Sequence, residues 1–482
     1  MLLSPVFHIL GLLLSLLAGA MVIPAIVDYT MGYDDWTAFL AASAITLFFG
    51  FGLLLSTRLR ADEHLGLRQA FLLTNAAWIL IGLFGALPFL LADTGMGLTN
   101  AVFESISGIT TTGSTVIPVI EAMSPGVLVW RALLQWLGGI GIIVMALAVL
   151  PMLSVGGMQL FKTESYETPD KVVPRAAELA GGISLVYGGL TLLWSLMLYS
   201  AGLPFFDAIT HAMTTLATGG FSTRTMSIGA FDNAYVEWVI IIGMIVGSLP
   251  FAHYLAITRG GWSRLTKDPQ VRWFFALLTL IAVLITWQLM LSHELRLSES
   301  IRLSVFNTVS MITGTGYGSA DFGAWGGSAT VLLLMCMFIG GCAGSTTCGI
   351  KMFRFQVLAA NARIQLSRLL RPHAVVIAYY NKRAIPETVI DAVMGFFYLY
   401  ILCFVVVAAL LGLTGLDLET ALSGAATSIS NVGPGLGDTI GPAGNFDSLS
   451  IMAKWVLCAA MVIGRLELFT VLVMLAPGFW RR

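Results

Sequence analysis

The sequence predicts an all-α integral membrane protein. A peripheral N-terminal helix pair precedes four tandem units of span, short helix and span, set around a pseudo-fourfold axis. Three observations predict this. The 482 residues are 57% hydrophobic and only 11% charged, with a mean hydropathy of +0.88; a soluble domain of this length cannot bury so much apolar surface, so much of its solvent is lipid. Ten apolar stretches approach the length of about 20 residues that a bilayer core requires. Four polar, glycine-rich runs interrupt the apolar sequence at nearly regular intervals.

The ten spans fall at 6–27, 36–57, 70–92, 128–153, 180–202, 235–257, 271–292, 328–355, 389–412 and 450–476. The first is too long for a cleaved leader and no basic segment precedes it, so it is expected to be retained. Ten spans put both termini on one side. Nineteen of the 25 Lys and Arg residues lie after spans two, four, six and eight or at the C-terminus, which makes that side cytoplasmic. The opposite face carries Asp34, Asp35, Asp207, Asp232, Glu294, Asp321, Asp417 and Asp447, a negative vestibule that concentrates cations. Arg131, Arg224 and Lys454 fall on that face or at its edge, and Arg224 and Lys454 are placed to orient the glycine runs. A net charge of −1 supplies no basic field for nucleic acid. The five cysteines lie in or beside apolar segments, and an odd number so placed argues against a disulfide framework. Cys342 and Cys348 have no neighbouring histidine and make a poor metal site.

The runs are Thr110–Ser114, Thr218–Ser222, Thr313–Gly318 and Asn431–Gly435, with central glycines Gly113, Gly220, Gly316 and Gly433. Spacings of 107, 96 and 117 residues suit tandem membrane units rather than a solenoid. Each run follows a segment too short to span: Asn100–Ile109, Asp207–Leu216, Ser304–Ile312 and Leu418–Ser430. Irregular backbone survives at membrane depth only where protein buries it or where it lines water, which a re-entrant helix and loop provides. The inward C-terminal dipole of such a helix favours a cation. Loop carbonyls can replace a cation's water shell; the alternative is four outer turns that merely use Gly and Thr. The chain therefore divides into a two-span pair over 1–66, which lacks a run, and units at 67–155, 172–260, 268–360 and 386–482. These are span–pore helix–span units around a pseudo-fourfold pore.

At these residues the chain resembles the Trk/Ktr/HKT superfamily of potassium transporters, and within it the membrane subunits of bacterial Trk potassium uptake systems. The resemblance covers the whole length, and the third run, Thr313-Gly314-Thr315-Gly316-Tyr317-Gly318, comes closest to the Thr-Val-Gly-Tyr-Gly filter of potassium channels. It implies that potassium is held by carbonyls of Thr111, Thr112 and Gly113; Thr218, Gly219 and Gly220; Gly314, Thr315 and Gly316; and Asn431, Val432 and Gly433. Glycine permits backbone conformations that a Cβ forbids. In plant members serine at the first filter position goes with sodium transport, so Gly113 implies the potassium-selective type.

Span eight contains Gly340, Gly341, Gly344, Ser345, Thr346, Thr347 and Gly349 within ten residues, enough to break a helix at membrane depth. Spans four, six and ten show no equivalent break. The resemblance implies an intramembrane gating loop over 340–349, and a helix-packing motif of small residues is the alternative. Read as a phosphate loop, the segment has Ile350 where lysine is needed and no preceding strand. Arg465 lies inside span ten, where a guanidinium must face the pore or a polar partner. Glu467, two residues on, is on another helix face. The resemblance implies that Arg465 sits beside the loop, hydrogen-bonds its carbonyls and forms an electrostatic barrier. A salt bridge to another helix is the alternative.

The expected function is potassium translocation across the bacterial inner membrane, driven by a membrane potential worth about 2.3 kcal/mol per charge per 100 mV. No Gly-rich nucleotide fingerprint is encoded, so this chain is expected to bind no nucleotide. The resemblance implies a homodimer and a cytosolic TrkA-type ring that binds NAD and ATP or ADP, docking on the basic stretch 351–383. Rival readings are a sodium-permeable or proton-coupled carrier and, more remotely, a membrane-embedded enzyme. The enzyme would need convergent acid, base or nucleophile groups at membrane depth, and the mid-span charges legible in sequence are Arg465 and Glu467.

Overall fold

The computed structural model describes residues 3–57, 66–146, 157, 172–257, 261, 263–373, 376–381 and 383–481. The described chain is dominated by helix, and its sheet is a two-residue antiparallel pair, Tyr379–Tyr380 with Arg383–Ala384. Among the described residues, seven helical spans are long and apolar enough to cross a bilayer: Ser4–Met31, Trp36–Ser56, Leu67–Leu91, Pro125–Val144, Ala180–Ser200, Pro269–Ser292 and Glu387–Leu413. The end of span four (147–153) lies outside the described residues, as do Arg58, Arg60, Lys162, Lys171, Arg259, Lys382 and Arg482 of the basic face. Span eight is interrupted: Gly327–Met337 ends, an irregular stretch follows, and Met352–Leu370 resumes the helix.

Spans six and ten are also broken, contrary to the sequence expectation. Ala234–Ser248 and Phe251–Ile257 meet at 95°, and Ile451–Arg465 and Phe469–Leu475 at 112°. In span six, Leu249 is extended ahead of Pro250, a residue that lacks the N–H a helix needs. In span ten, Glu467 and Leu468 adopt φ of +57° and +53°. There the Leu468 N–H donates to Ile463 O at 3.0 Å and the Glu467 N–H to Gly464 O at 3.1 Å, which closes the helix end. A left-handed residue with a side chain costs about 1–2 kcal/mol, and no glycine marks this break in the sequence.

The N-terminal pair packs backbone to backbone. A Cβ on Gly11 would lie 2.8 Å from Gly50 O, and one on Gly50 would lie 3.0 Å from Gly11 O. The pair is tied to the rest of the chain by Asp28, which is fully buried. Its carboxylate accepts from Gly126 N at 2.6 Å and from Ser124 Oγ at 3.2 Å, capping the start of span four. Outward faces are apolar, with Phe48, Leu185 and Trp287 well exposed, as lipid contact requires.

The four short helices are Leu98–Ile109, Phe205–Leu216, Leu297–Ile312 and Leu418–Ser430, hereafter the first to fourth half-helix. They run longer at the start than expected in the first three cases. Each is enclosed by spans, so polar residues such as Ser107, Thr214, Ser310 and Thr427 are buried. At the start of the fourth, Asp417 accepts from the Thr420 N–H at 3.1 Å. Hydrogen bonds from Thr420, side chain first and then backbone, hold the Asp417 carboxyl below its ordinary range, placing a negative charge at the positive end of the helix.

Candidate functional site

The half-helices end alike. Thr111, Thr218, Gly314 and Asn431 take φ of +51°, +48°, +66° and +52°. The next residue's N–H then donates to the carbonyl five positions back: Thr112 to Ser107, Gly219 to Thr214, Thr315 to Ser310 and Val432 to Thr427, each at 2.9 Å. Each run thus begins as the left-handed C-terminal closure of its own half-helix. Gly113, Gly220, Gly316 and Gly433 follow at φ of +88°, +79°, +78° and +117°.

Their surroundings join the runs into a ring. A Cβ on Gly113 would lie 2.3 Å from Gly219 O, one on Gly220 1.8 Å from Thr315 O, one on Gly316 1.9 Å from Val432 O, and one on Gly433 2.8 Å from Thr112 O. The order first, second, third, fourth, first closes on itself. Every glycine abuts the middle carbonyl of the next run, so the twelve residues singled out in the four runs converge on one place. All four glycines line one vestibule.

Polar side chains lock the ring from behind. The Tyr317 hydroxyl reaches Thr214 Oγ1 at 2.5 Å and Thr215 Oγ1 at 3.4 Å. Asn431 Nδ2 donates to Thr112 Oγ1 and to Met461 O, both at 2.9 Å, and Ser114 Oγ donates to Gly433 O at 2.7 Å. Arg131, placed by sequence at the outer edge, is buried. Its Nε donates to Glu104 Oε1 at 2.8 Å and its Nη1 to Ser222 O at 2.8 Å, and its guanidinium lies 4.0 Å from the Phe221 ring centroid. Glu104 also accepts from Val116 N at 3.0 Å. The pair therefore links the first two runs. Replacing Glu104 with Gln is expected to strand the buried guanidinium at a cost of about 3–5 kcal/mol. Thermal unfolding in detergent checks this, and the double variant Glu104→Gln/Arg131→Met should unfold at a higher temperature than Glu104→Gln alone.

The residues 340–349 lie against the other end of the runs. Thr218 Oγ1 donates to Thr346 Oγ1 at 3.1 Å, and Thr111 Oγ1 is 3.9 Å from Cys348 Sγ. Ser345, Thr346 and Thr347 are buried. The loop backbone is held by span six: the Cys342 N–H donates to Ser248 O at 3.0 Å, the Thr346 N–H to Gly247 O at 3.1 Å, and Gly344 O accepts from Phe251 N at 2.9 Å. The Gly340 N–H donates to Ile350 O at 2.9 Å, and Gly349 takes φ +69° to turn the chain back. A Cβ on Gly341 would lie 2.7 Å from Thr347 Oγ1.

Two buried cations grip consecutive loop carbonyls. Arg465 Nη1 donates to Thr346 O at 3.2 Å and touches the Cys348 thiol, while Nη2 donates to Gly138 O at 3.1 Å. Lys351 Nζ donates to Thr347 O and lies 3.3 Å from Thr347 Oγ1. Glu467 pairs not with Arg465 but with Arg354, whose guanidinium lies 3.8 Å from the Phe396 ring centroid. Lys351 and Arg354 were expected on the cytoplasmic face; both are buried, and the buried charge at this depth is richer than Arg465 and Glu467 alone. Arg224 and Lys454 meet acids, Asp207 Oδ2 at 2.9 Å and Asp447 Oδ1 at 3.8 Å.

The family model for TrkH, described as a cation transport protein, matches residues 36–481. The chain belongs to the TrkH family. It is 44% identical over 481 residues to the Trk system potassium uptake protein TrkI of Halomonas elongata, covering 99% of this chain and 97% of that one. It is 38% identical over 481 residues to the Trk system potassium uptake protein TrkH of Escherichia coli K12, with 98% of each chain covered. Its fold matches the crystal structure of the potassium transporter TrkH from Vibrio parahaemolyticus with a TM-score of 0.92 at 37% identity, over 100% of both chains. This TrkH-family chain is thus a multi-pass membrane protein of a transporter family, not an enzyme. Sequence reasoning missed Glu104 and Gln135 as supports of the TrkH-family ring, Lys351 as a partner of the loop and Arg354 as the partner of Glu467. A charged or amide side chain inside an apolar stretch was the available signal.

Proposed function

We propose that this chain conducts potassium across the bacterial inner membrane. The closed ring of glycines and carbonyls carries the reading: Thr111–Gly113, Thr218–Gly220, Gly314–Gly316 and Asn431–Gly433 hold the dehydrated ion, replacing its water shell with backbone oxygens. The loop 340–349 and Arg465 are the gate, because the loop caps the inner end of the runs through polar contacts that can be exchanged without unpacking an apolar core. The four repeats at 67–155, 172–260, 268–360 and 386–482 surround one path, and the pair at 1–66 stands outside it. Both termini are cytoplasmic, following the basic residues.

Names of the relatives, Trk system potassium uptake proteins, support the choice of ion. The reading extends to a homodimer and to a cytosolic TrkA-type ring, binding NAD and ATP or ADP, that docks on the basic stretch 351–383 and acts on the loop.

Flux of potassium and sodium into proteoliposomes of purified protein tests the reading. Potassium flux well above sodium flux, without a proton gradient, is expected. Equal fluxes would end the selectivity assignment, and strict dependence on a proton gradient would make the protein a symporter. Gly113→Ser, whose Cβ meets Gly219 O at 2.3 Å, is expected to raise sodium permeation relative to potassium.

A further inference from the structure

Gln135 in span four is completely buried. Its amide orientation is fixed by chemistry: the Phe221 backbone N–H can only donate, and it donates to Oε1 at 3.0 Å. The Nε2 group then faces the Gly219 carbonyl at 2.5 Å. Gly219 is the middle residue of the second run, whose oxygen abuts Gly113 in the ring.

The middle position is Thr112, Thr315 and Val432 in the other runs but glycine in the second. Gly219 is not among the residues with positive φ, so backbone geometry does not demand glycine there. Space does: a Cβ would lie 2.4 Å from both Cδ and Oε1 of Gln135. The arrangement also differs among the three units that share a packing glycine at this place. Gly138, Gly247 and Gly464 are equivalent, each pressing on a half-helix end through Ile109 O, Leu216 O and Ile429 O. Three residues before them stand Gln135, Met244 and Met461, and methionine has no donor.

Building on the filter reading above, we propose that Gln135 is a positioning residue for ion selectivity. Its amide occupies one lone pair of the Gly219 oxygen and holds that carbonyl in place, while the other lone pair faces the ion. A smaller ion is bound well only if the ring contracts, and the tether opposes contraction. Sharing the oxygen also weakens the field it presents, which disfavours the more strongly hydrated sodium. Both effects act in the same direction.

The test measures relative potassium, sodium, rubidium and caesium fluxes in proteoliposomes for Gln135→Met, the residue found at the equivalent positions. The sodium-to-potassium ratio is expected to rise about three- to tenfold and the caesium-to-potassium ratio to fall, a pattern set by carbonyl mobility. Gly219→Ala, which displaces the amide from the other side, is expected to move the ratios the same way and decides the matter if Gln135→Met does not fold. Unchanged ratios, or equal scaling of all four ions, would overturn the role. Gly113→Ser is measured alongside. If it shifts selectivity and the Gln135 variant does not, this inference alone fails; if neither shifts it, the filter reading fails.

Discussion

Alanine at Gly220 is expected to abolish potassium flux in protein that still folds. The position sits at φ +79°, and the added Cβ would lie 1.8 Å from Thr315 O. Leaving the left-handed region would relieve about 1–2 kcal/mol of strain but would turn the run away from its neighbour. Staying there would push the third run's carbonyl outward by more than an ångström. Displacements of that size in a preorganised site cost about a hundredfold in function. The measurement is potassium uptake into proteoliposomes, with monodispersity by size-exclusion chromatography as the folding check. Gly189→Ala in span five is the control, because nothing lies within 4 Å of its Cβ; wild-type flux is expected. Flux in Gly220→Ala within twofold of wild type would remove the ring from the conduction path.

Alanine at Arg465 is expected to increase flux in the absence of any partner protein. The guanidinium joins the loop at Thr346 O to span four at Gly138 O. Hydrogen bonds from a charged donor are worth about 1.5–3 kcal/mol each, and about 1.4 kcal/mol is a factor of ten in an equilibrium. Losing the bond to Thr346 O should therefore shift the loop towards release by at least about tenfold. Lys351 still grips Thr347 O, so the loop is loosened rather than freed. Arg465→Lys separates two roles: it retains the charge and loses the bidentate reach. If charge alone bars the path, the lysine variant stays tight; if the bonds hold the loop, it leaks. Reduced flux in an alanine variant of wild-type thermal stability would show that Arg465 supports packing and not closure.

The spans were legible because lipid demands apolar residues over a fixed length, and the short helices because Ser, Thr and Gly within such stretches have no place on a lipid face. The break at Leu249-Pro250 carried a proline and was readable in principle. The break at Glu467-Leu468 carried nothing, since a left-handed glutamate is selected by its surroundings: Arg354 reaches it from 113 residues away in the chain. Glu104 and Arg131 were visible as charges, but their pairing required two helices to meet, and helical periodicity says which residues share a face, not which wall that face will meet. Gln135 was harder still. Its meaning lies in the missing side chain at Gly219, which in sequence looks like one more glycine of a glycine-rich run.

The cyclic contact of the four runs bears on how the protein is made. No run can complete its own surroundings: Gly316 needs Val432 O, and Gly433 needs Thr112 O. A nascent chain that has delivered three repeats to the bilayer therefore holds an open arc, with the first and third runs facing empty positions. Closure awaits residues 432 and 433, made after the other three runs. A product truncated before residue 432 leaves no finished ring behind, and closure joins the fourth repeat to the first.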